Sequence, residues 1–289
     1  MVGVYDGARK KGVCGIDRTW AAVAGVALLL AGATGISTFW PRVCQLEVDV
    51  RGLPADLDGL RILHITDLHS RSAEAPRVDI TRLVRELEFD LVALTGDLID
   101  YDLRHLTPVL KLVGRLAPDT PVLSVAGNHD WSHGGGRLTE QLEAVGAESL
   151  ENAATVLDLP GGLLTAVGVS DAFSGRADIE AAFCDVDAEF ALVLTHDPAI
   201  FPELARRPGS SLVLAGHTHG GQIKIPGVAT LYAPGQGFGP AYGHGLYREG
   251  AHRLYVSAGV GYTGILPFRL GIRPEIAVVT LRRVAAGSS

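Results

Sequence analysis

The sequence predicts an α/β fold carried behind one apolar helix, and three observations predict it. From Arg61 onward, short apolar runs of strand length alternate with amphipathic stretches of helical period. Five of those runs end in Asp, Asn or His. Ahead of them, Trp20 to Trp40 contains no charged residue.

The run comes first in the chain. At about 1.5 Å per residue it spans roughly 30 Å, the thickness of a bilayer core. Tryptophan at both ends fits the interfacial aromatic belt. Arg9, Lys10, Lys11 and Arg18 precede it, which by the positive-inside rule leaves residues 1–19 as a cytoplasmic tail and sends the rest across a cell membrane as a single-pass protein. Residues 20–40 read as a transmembrane anchor or uncleaved signal; Ala31-Gly32-Ala33 offers a cleavage site as the alternative.

Residues 43–284 read as the catalytic domain. Leu46–Val50 is an extended lead-in before a turn at Pro54. Arg61–Thr66, Leu91–Thr95 and Pro121–Ala126 read as strands, separated by helices over Ile80–Phe89 and Leu103–Leu116. Leu91–Thr95 is apolar almost throughout, as in a strand buried on both faces. A helix over Arg137–Val145 follows, then strands at Leu163–Val169, Ala191–Thr195 and Leu212–Ala215, with a helix near Pro198–Arg206. Gly220 to Gly250, rich in glycine and aromatics, reads equally as a substrate wall or as a tight connection with aromatics in the core. Leu254–Ser257 and Ile276–Leu281 close the fold, and residues 285–289 read as a disordered tail.

The bulk properties narrow the function. The chain has 289 residues, 47% of them hydrophobic, and a mean hydropathy of +0.24, which favours a sizeable core plus a membrane segment. A formal net charge of −7 speaks against a nucleic-acid partner. Three cysteines, Cys14, Cys44 and Cys184, show no CxxC spacing, so no disulfide framework is expected, and Cys184 reads as a core residue.

The five polar segments are Asp67-Leu68-His69, Gly96-Asp97, Gly127-Asn128-His129-Asp130, Thr195-His196-Asp197 and Gly216-His217-Thr218-His219. Any one of them alone would read as structural. Together they place carboxylates and imidazoles at five strand ends, where burial is expensive unless they are paired or bind metal. His129 suits acid catalysis at a leaving oxygen, with Asp130 expected to hydrogen-bond to it and set its tautomer. His64 reads as core, Asp197 as a helix N-cap, Asp171 as a residue able to line the site, and Arg71 as one able to meet a phosphate. His133, His244 and His252 read as loop residues.

In this order, DxH, GD, GNH[DE], a lone His and GHxH, the segments resemble the calcineurin-like metallophosphoesterase family. The stretch from Gly216 to Gln222 and Pro274-Glu275-Ile276 are similar to its membrane-associated bacterial branch of YkuE- and YaeI-like phosphodiesterases. The resemblance implies a four-layer αββα sandwich of two mixed sheets flanked by helices. It implies two divalent ions of the Mn, Zn or Fe type. Asp67, His69 and His219 would bind the first, Asn128, His196 and His217 the second, and Asp97 would bridge them. The activity implied is in-line attack of a metal-bound hydroxide on a phosphodiester or pyrophosphate bond, in a lipid or envelope substrate outside the cytoplasm. A phosphomonoesterase or protein phosphatase is the alternative, and a non-catalytic metal-binding membrane scaffold the alternative outside enzymes.

Overall fold

A computed structural model describes residues 39–73, 79–222, 242–263 and 268–284, two short strands at Tyr232–Ala233 and Gly237–Phe238, and the single positions Gly25 and Gly32. The expected anchor therefore lies almost wholly outside the described residues, as do Cys14, the tail 285–289 and much of Gly220–Gly250. Among the described residues no helix is long and apolar enough to cross a membrane.

The first sheet has six strands: β1 (Arg42–Val50), β2 (Arg61–Ile65), β3 (Leu91–Thr95), β4 (Val122–Val125), β5 (Ala147–Ser149) and the last strand, β14 (Glu275–Arg283). Their order is β1-β14-β2-β3-β4-β5, with β2 to β5 parallel, β14 antiparallel to β2, and β1 parallel to β14. The second contains β6 (Ala153–Leu159), β7 (Gly162–Val169), β8 (Phe190–Thr195), β9 (Ser210–Ala215), β12 (Gly245–Glu249) and β13 (His252–Val256). Its order is β12-β13-β9-β8-β7-β6, parallel from β13 to β7 and antiparallel at both margins. Strands β10 (Tyr232–Ala233) and β11 (Gly237–Phe238) pair only with each other.

Side chains alternate across each strand, and the alternation builds the layers. Leu91 and Ala93 of β3 meet Leu192 and Leu194 of β8 and Leu212 and Leu214 of β9 between the sheets. Val92 and Leu94 face outward onto helices α1 (Thr81–Arg85), α2 (Thr107–Leu116) and α4 (Gly136–Glu143). Val193 and Val213 face outward onto α5 (Ile179–Ala182) and α6 (Phe201–Leu204). Helix, sheet, sheet, helix is the four-layer arrangement expected, and it explains why these strands read as unbroken apolar runs: both faces are covered.

The differences from the sequence reading have local causes. The helix expected over Ile80–Phe89 stops at Arg85, because Arg61 at the head of β2 holds Glu88 at 2.6 Å and takes the Asp90 carboxylate on its backbone N–H at 2.9 Å, drawing that segment into the connection to β3. The lead-in is longer than expected, since Arg42–Val50 pairs along its full length with β14. Strand β6 lies on an edge, where Ala153 and Thr155 give little hydrophobic contrast. Helix α3 (Asn128–His133) has no apolar stripe to announce it. Cys184 is exposed, not buried, because α5 ends two residues before it. Tyr242 lies edge-on to Phe201 at 5.7 Å and to Tyr247 at 5.2 Å against the outer helical layer, so for this residue the core reading holds.

Candidate metal centre

Every segment singled out from the sequence starts where a parallel strand stops. Asp67 and His69 follow β2, Asp97 follows β3, Asn128 and His129 follow β4, His196 follows β8, and His217 and His219 follow β9. Carboxyl ends of parallel strands are where chains leave a sheet and open a crevice. Here two such edges meet, and side-chain contacts to backbone lock them together: the His217 backbone N–H donates to the Asp67 carboxylate at 3.1 Å, and His196 Nδ1 lies 2.7 Å from Thr95 O.

Glycines let the edges approach. A methyl group on Gly216 would stand 2.2 Å from Thr66 Oγ1 and 2.3 Å from Asp67 Oδ2. On Gly127 it would stand 2.3 Å from Asp97 Oδ1. The ligand backbones are strained as well. Among the described residues six non-glycine positions have φ between +41° and +69°, and five of them are Asp67, His69, Asp97, His217 and His219. Each such conformation costs roughly 1–2 kcal/mol and persists where the surroundings over-determine it, typically at functional sites.

Three overlapping groups of donor atoms result among the described residues, each within 4.8 Å: Asp67, His69 and His219; Asp97, His196 and His217; and His69, Asp97 and His129, which links the first two. In the first, His69 Nε2 lies 3.0 Å from His219 Nε2, and His219 Nε2 lies 3.5 Å from Asp67 Oδ1. In the second, His217 Nδ1 lies 3.0 Å from Asn128 Oδ1. Asp97 Oδ2 stands between the two, 3.4 Å from His69 Nε2 and 3.3 Å from His196 Nε2. One carboxylate oxygen facing both clusters is what a bridging ligand requires.

The electrostatics suit cations. Burial pushes His69 down to about 4, against the pull of Asp97, and holds His219 well below the usual imidazole range; His217 is lowered by burial and by His196. These imidazoles are therefore neutral donors. Burial would raise Asp97, but His196, His69 and His129 hold it well below the usual carboxylate range. His196 is the exception. Burial opposes its charge, yet Asp97 lifts it well above the usual value, a sign that positive charge is wanted beside that carboxylate.

The buried nitrogens also test whether metal ions fit. Nε2 of His196 and Nε2 of His217 have no hydrogen-bond partner. His196 Nδ1 lies 2.7 Å from Thr95 O, which keeps a proton on Nδ1 and leaves Nε2, 3.3 Å from Asp97 Oδ2, as the position where a cation would take the place of a second proton. Buried, unpaired imidazole nitrogens beside a carboxylate, an amide oxygen and further imidazoles are a donor set for divalent ions. Asp67, His69 and His219 fit one ion, Asn128, His196 and His217 a second, with Asp97 shared.

His129 stands beside both clusters. Its ring lies 4.8 Å from that of His69, and its backbone N–H donates to Asp97 Oδ1 at 2.9 Å. The expected bond to Asp130 is not formed. Asp130 Oδ1 instead accepts from Leu98 and Ile99 N–H at 2.9 and 3.1 Å, and Oδ2 from Gly127 N–H at 3.0 Å. As the third residue of α3, Asp130 turns back to the N-cap, as in half of a capping box, and so cannot reach the residue beside it. It staples the Asp97 loop to the Asn128 loop. Burial, then Asp97, pushes its carboxyl up to about 7 against those three donors.

The partner of His129 is Asp100, which the sequence reading missed. His129 Nδ1 lies 3.0 Å from Asp100 O and 3.2 Å from its buried Oδ1. Asp100 Oδ1 is also 3.4 Å from His69 Nδ1, and its other oxygen pairs with Arg71. Its spacing three residues past Asp97, in the same loop, was the available signal. Arg269 was missed too: fully buried, it donates to His219 O at 3.1 Å and Ala258 O at 2.7 Å, tying the ligand to the loop after β13.

Of the remaining residues, Asp171 lies near enough to help raise His196, and the others have partners of their own. His64 is buried against Thr95 Oγ1 at 2.7 Å, and Asp197 caps Pro198–Ile200, as expected. Asp171 is buried after β7, with one oxygen on Ser174 N–H and the other unpaired. His133 lies on α3, not in a loop, and His252 lies in β13, bonded to Ser211. His244 bonds to Glu275 at 2.8 Å.

Comparison with known proteins agrees with this geometry. The family model for calcineurin-like phosphoesterases matches residues 60–221, which include every candidate ligand. The chain is 31% identical to the uncharacterized metallophosphoesterase YkoQ of Bacillus subtilis, over 81% of this chain and 88% of that protein. It is 32% identical to phosphodiesterase YaeI of Escherichia coli, over 76% and 82%. It is 31% identical to a transmembrane protein with metallophosphoesterase domain from Danio rerio, over 84% of this chain but 58% of that longer protein. With the donor clusters and these relatives in agreement, the chain belongs to the calcineurin-like metallophosphoesterases and is a metal-dependent phosphoric ester hydrolase.

Proposed function

We propose that this chain is a membrane-tethered phosphodiesterase that cleaves a phosphodiester or pyrophosphate bond in a lipid or envelope molecule on the extracytoplasmic side. The carrying observation is His129, fixed by Asp100 beside two donor clusters that share Asp97. Two divalent ions held there would supply an activated water and a double clamp on phosphoryl oxygens. The chain's own residues do the rest. Asp97 keeps the two clusters in register. With Nδ1 directed at the oxygens of Asp100, and Nε2 at a long 3.4 Å from Thr263 Oγ1, His129 gives the Nε2 proton to the departing oxygen. Asp100 stabilises the charge that His129 carries before that transfer.

The choice of a diester is supported by the similarity to a protein named a phosphodiesterase. The tether is supported by the charge-free run Trp20–Trp40 and by a relative named as a transmembrane protein. A non-catalytic scaffold would have no use for the pairing of Asp100 with His129. Turnover of an aryl phosphodiester and an aryl phosphomonoester by the full chain with Mn²⁺ tests the reading. Faster diester hydrolysis is expected. Faster monoester hydrolysis would make it a phosphomonoesterase, and no turnover of either with ions bound would leave the scaffold. Protease added outside intact cells should reach the catalytic domain; protection in cells with cleavage after lysis would place it in the cytoplasm.

A further inference from the structure

Strand direction decides which end of the sandwich meets the apolar run. Arg42, at the start of β1, pairs with Glu275 at the start of β14, and β14 runs antiparallel to β2, Ala277 facing His64. The start of β1 therefore lies at the edge where β2 ends and Asp67 begins. Only Pro41 separates Trp40, the last residue of the run, from Arg42. At about 3.5 Å per residue, that link holds the ligand-bearing edge within roughly 10 Å of the end of the run.

Side chains at this edge are unusually apolar for an exposed surface. Phe39 is 60% exposed, Trp40 67%, Tyr101 53% and Phe173 56%. They surround the metal centre. The Phe39 ring lies edge-on to Tyr262 at 6.5 Å, in the loop whose Gly261 N–H donates to Asp67 O. Tyr101 follows β3 and Phe173 follows β7, its ring 5.2 Å from that of His217. Two cations stand among them: the Arg71 guanidinium, 4.9 Å from the Tyr101 ring and 5.7 Å from Tyr262, and Arg273, which donates to Trp40 O at 3.0 Å. At the opposite end, at the start of β7, Leu163 is exposed.

We propose that Phe39, Trp40, Tyr101 and Phe173 form a bilayer-docking rim, seated at the headgroup level so that the donor clusters open toward lipid phosphates. This rests on the tethered reading above and adds the orientation of the domain. Tryptophan and tyrosine rings settle at the membrane–water interface, phenylalanine adds apolar area beneath them, and arginines nearby attract anionic headgroups. The site then meets its substrate in the plane of the bilayer, at a high effective concentration and without extraction of a lipid into water.

The test uses the full chain in vesicles of phosphatidylcholine and phosphatidylglycerol carrying a nitroxide on the lipid headgroup. Single fluorophores are placed by Tyr101→Cys, Phe173→Cys or Leu163→Cys, in a background with Cys14→Ser, Cys44→Ser and Cys184→Ser. Quenching at positions 101 and 173 should exceed that at 163 by threefold or more. In the unmodified chain, amide exchange over residues 101–104 and 172–176 should slow on vesicles while residues 160–163 stay unchanged. Equal quenching at all three positions, or more at 163, overturns the rim. A chain that floats with vesicles yet shows neither quenching nor slowed exchange at the rim overturns the rim and leaves the tether. A chain that does not float removes both.

Discussion

His129 Nδ1 lies 3.0 Å from the carbonyl oxygen of Asp100 and 3.2 Å from its carboxylate, so the side chain beside both donor clusters is held by the Asp100 carbonyl with a carboxylate next to it. Arg71 pairs with the other oxygen of Asp100, which fixes that carboxylate in turn. His129→Ala should keep its metal and lose about 10²–10⁴ in kcat, the range for a lost general acid, with a smaller loss on substrates with good leaving groups. Asp100→Asn should lose less, because the carbonyl that holds Nδ1 stays while the carboxylate beside it becomes neutral. Metal analysis beside kinetics checks both; metal loss as steep as the loss of activity would make His129 a ligand.

Asp97→Asn should abolish turnover and reduce metal at both positions, since Oδ2 is the atom that faces His69 and His196 together. Titration calorimetry with Mn²⁺ reads the two affinities. Loss at one position alone would show that the carboxylate does not bridge.

Asp130→Ala should behave differently from His129→Ala. It leaves three buried N–H groups, of Leu98, Ile99 and Gly127, without an acceptor. The expected destabilisation is about 2–5 kcal/mol, seen as a lower melting temperature, with metal affinity falling because the Asp97 and Asn128 loops lose their staple. An unchanged melting temperature with lost activity would move Asp130 into the chemistry.

Glu275 predicts an acid limb in stability. It is fully buried and accepts from Arg42, Tyr255 and Ala258 N–H, and pairs with His244. Burial alone would raise its carboxyl; His244, Ala258 N–H and Arg42 overcome that and bring it down to about 2. A carboxyl lowered on folding stabilises fully above its unfolded value, near 4.3, and that stability drains as pH falls toward 2. The contribution is on the order of 3 kcal/mol. Denaturant melts of the parent and Glu275→Gln should differ most at pH 7 and converge between about pH 4 and pH 2. A gap independent of pH would mean that packing, not charge, holds this node.

The central strands and the donor residues were legible in the sequence because both depend on local pattern. Leu91–Thr95 reads as buried on both faces, and Asp67, Asp97 and His217 stand at the ends of such runs. What was not legible depends on contacts between distant segments. Asp130 is adjacent to His129 in sequence, but its place on the first turn of α3 points it back to Gly127. Asp100 reaches His129 only because β3 and β4 pair in register, Leu94 beside Ser124. Arg269 carries no local signal, and its partners Gly261 and His219 are set by the loop after β13. The same limit applies to the pairing of β1 with β14, which brings Arg42 to the ligand-bearing edge.

Metal stoichiometry measured together with phosphodiester turnover bears most directly on the two-ion site. Two divalent ions per chain are expected, with turnover lost on chelation and restored by Mn²⁺ as the second ion binds. Full turnover with one ion bound, or turnover indifferent to chelation, would contradict it.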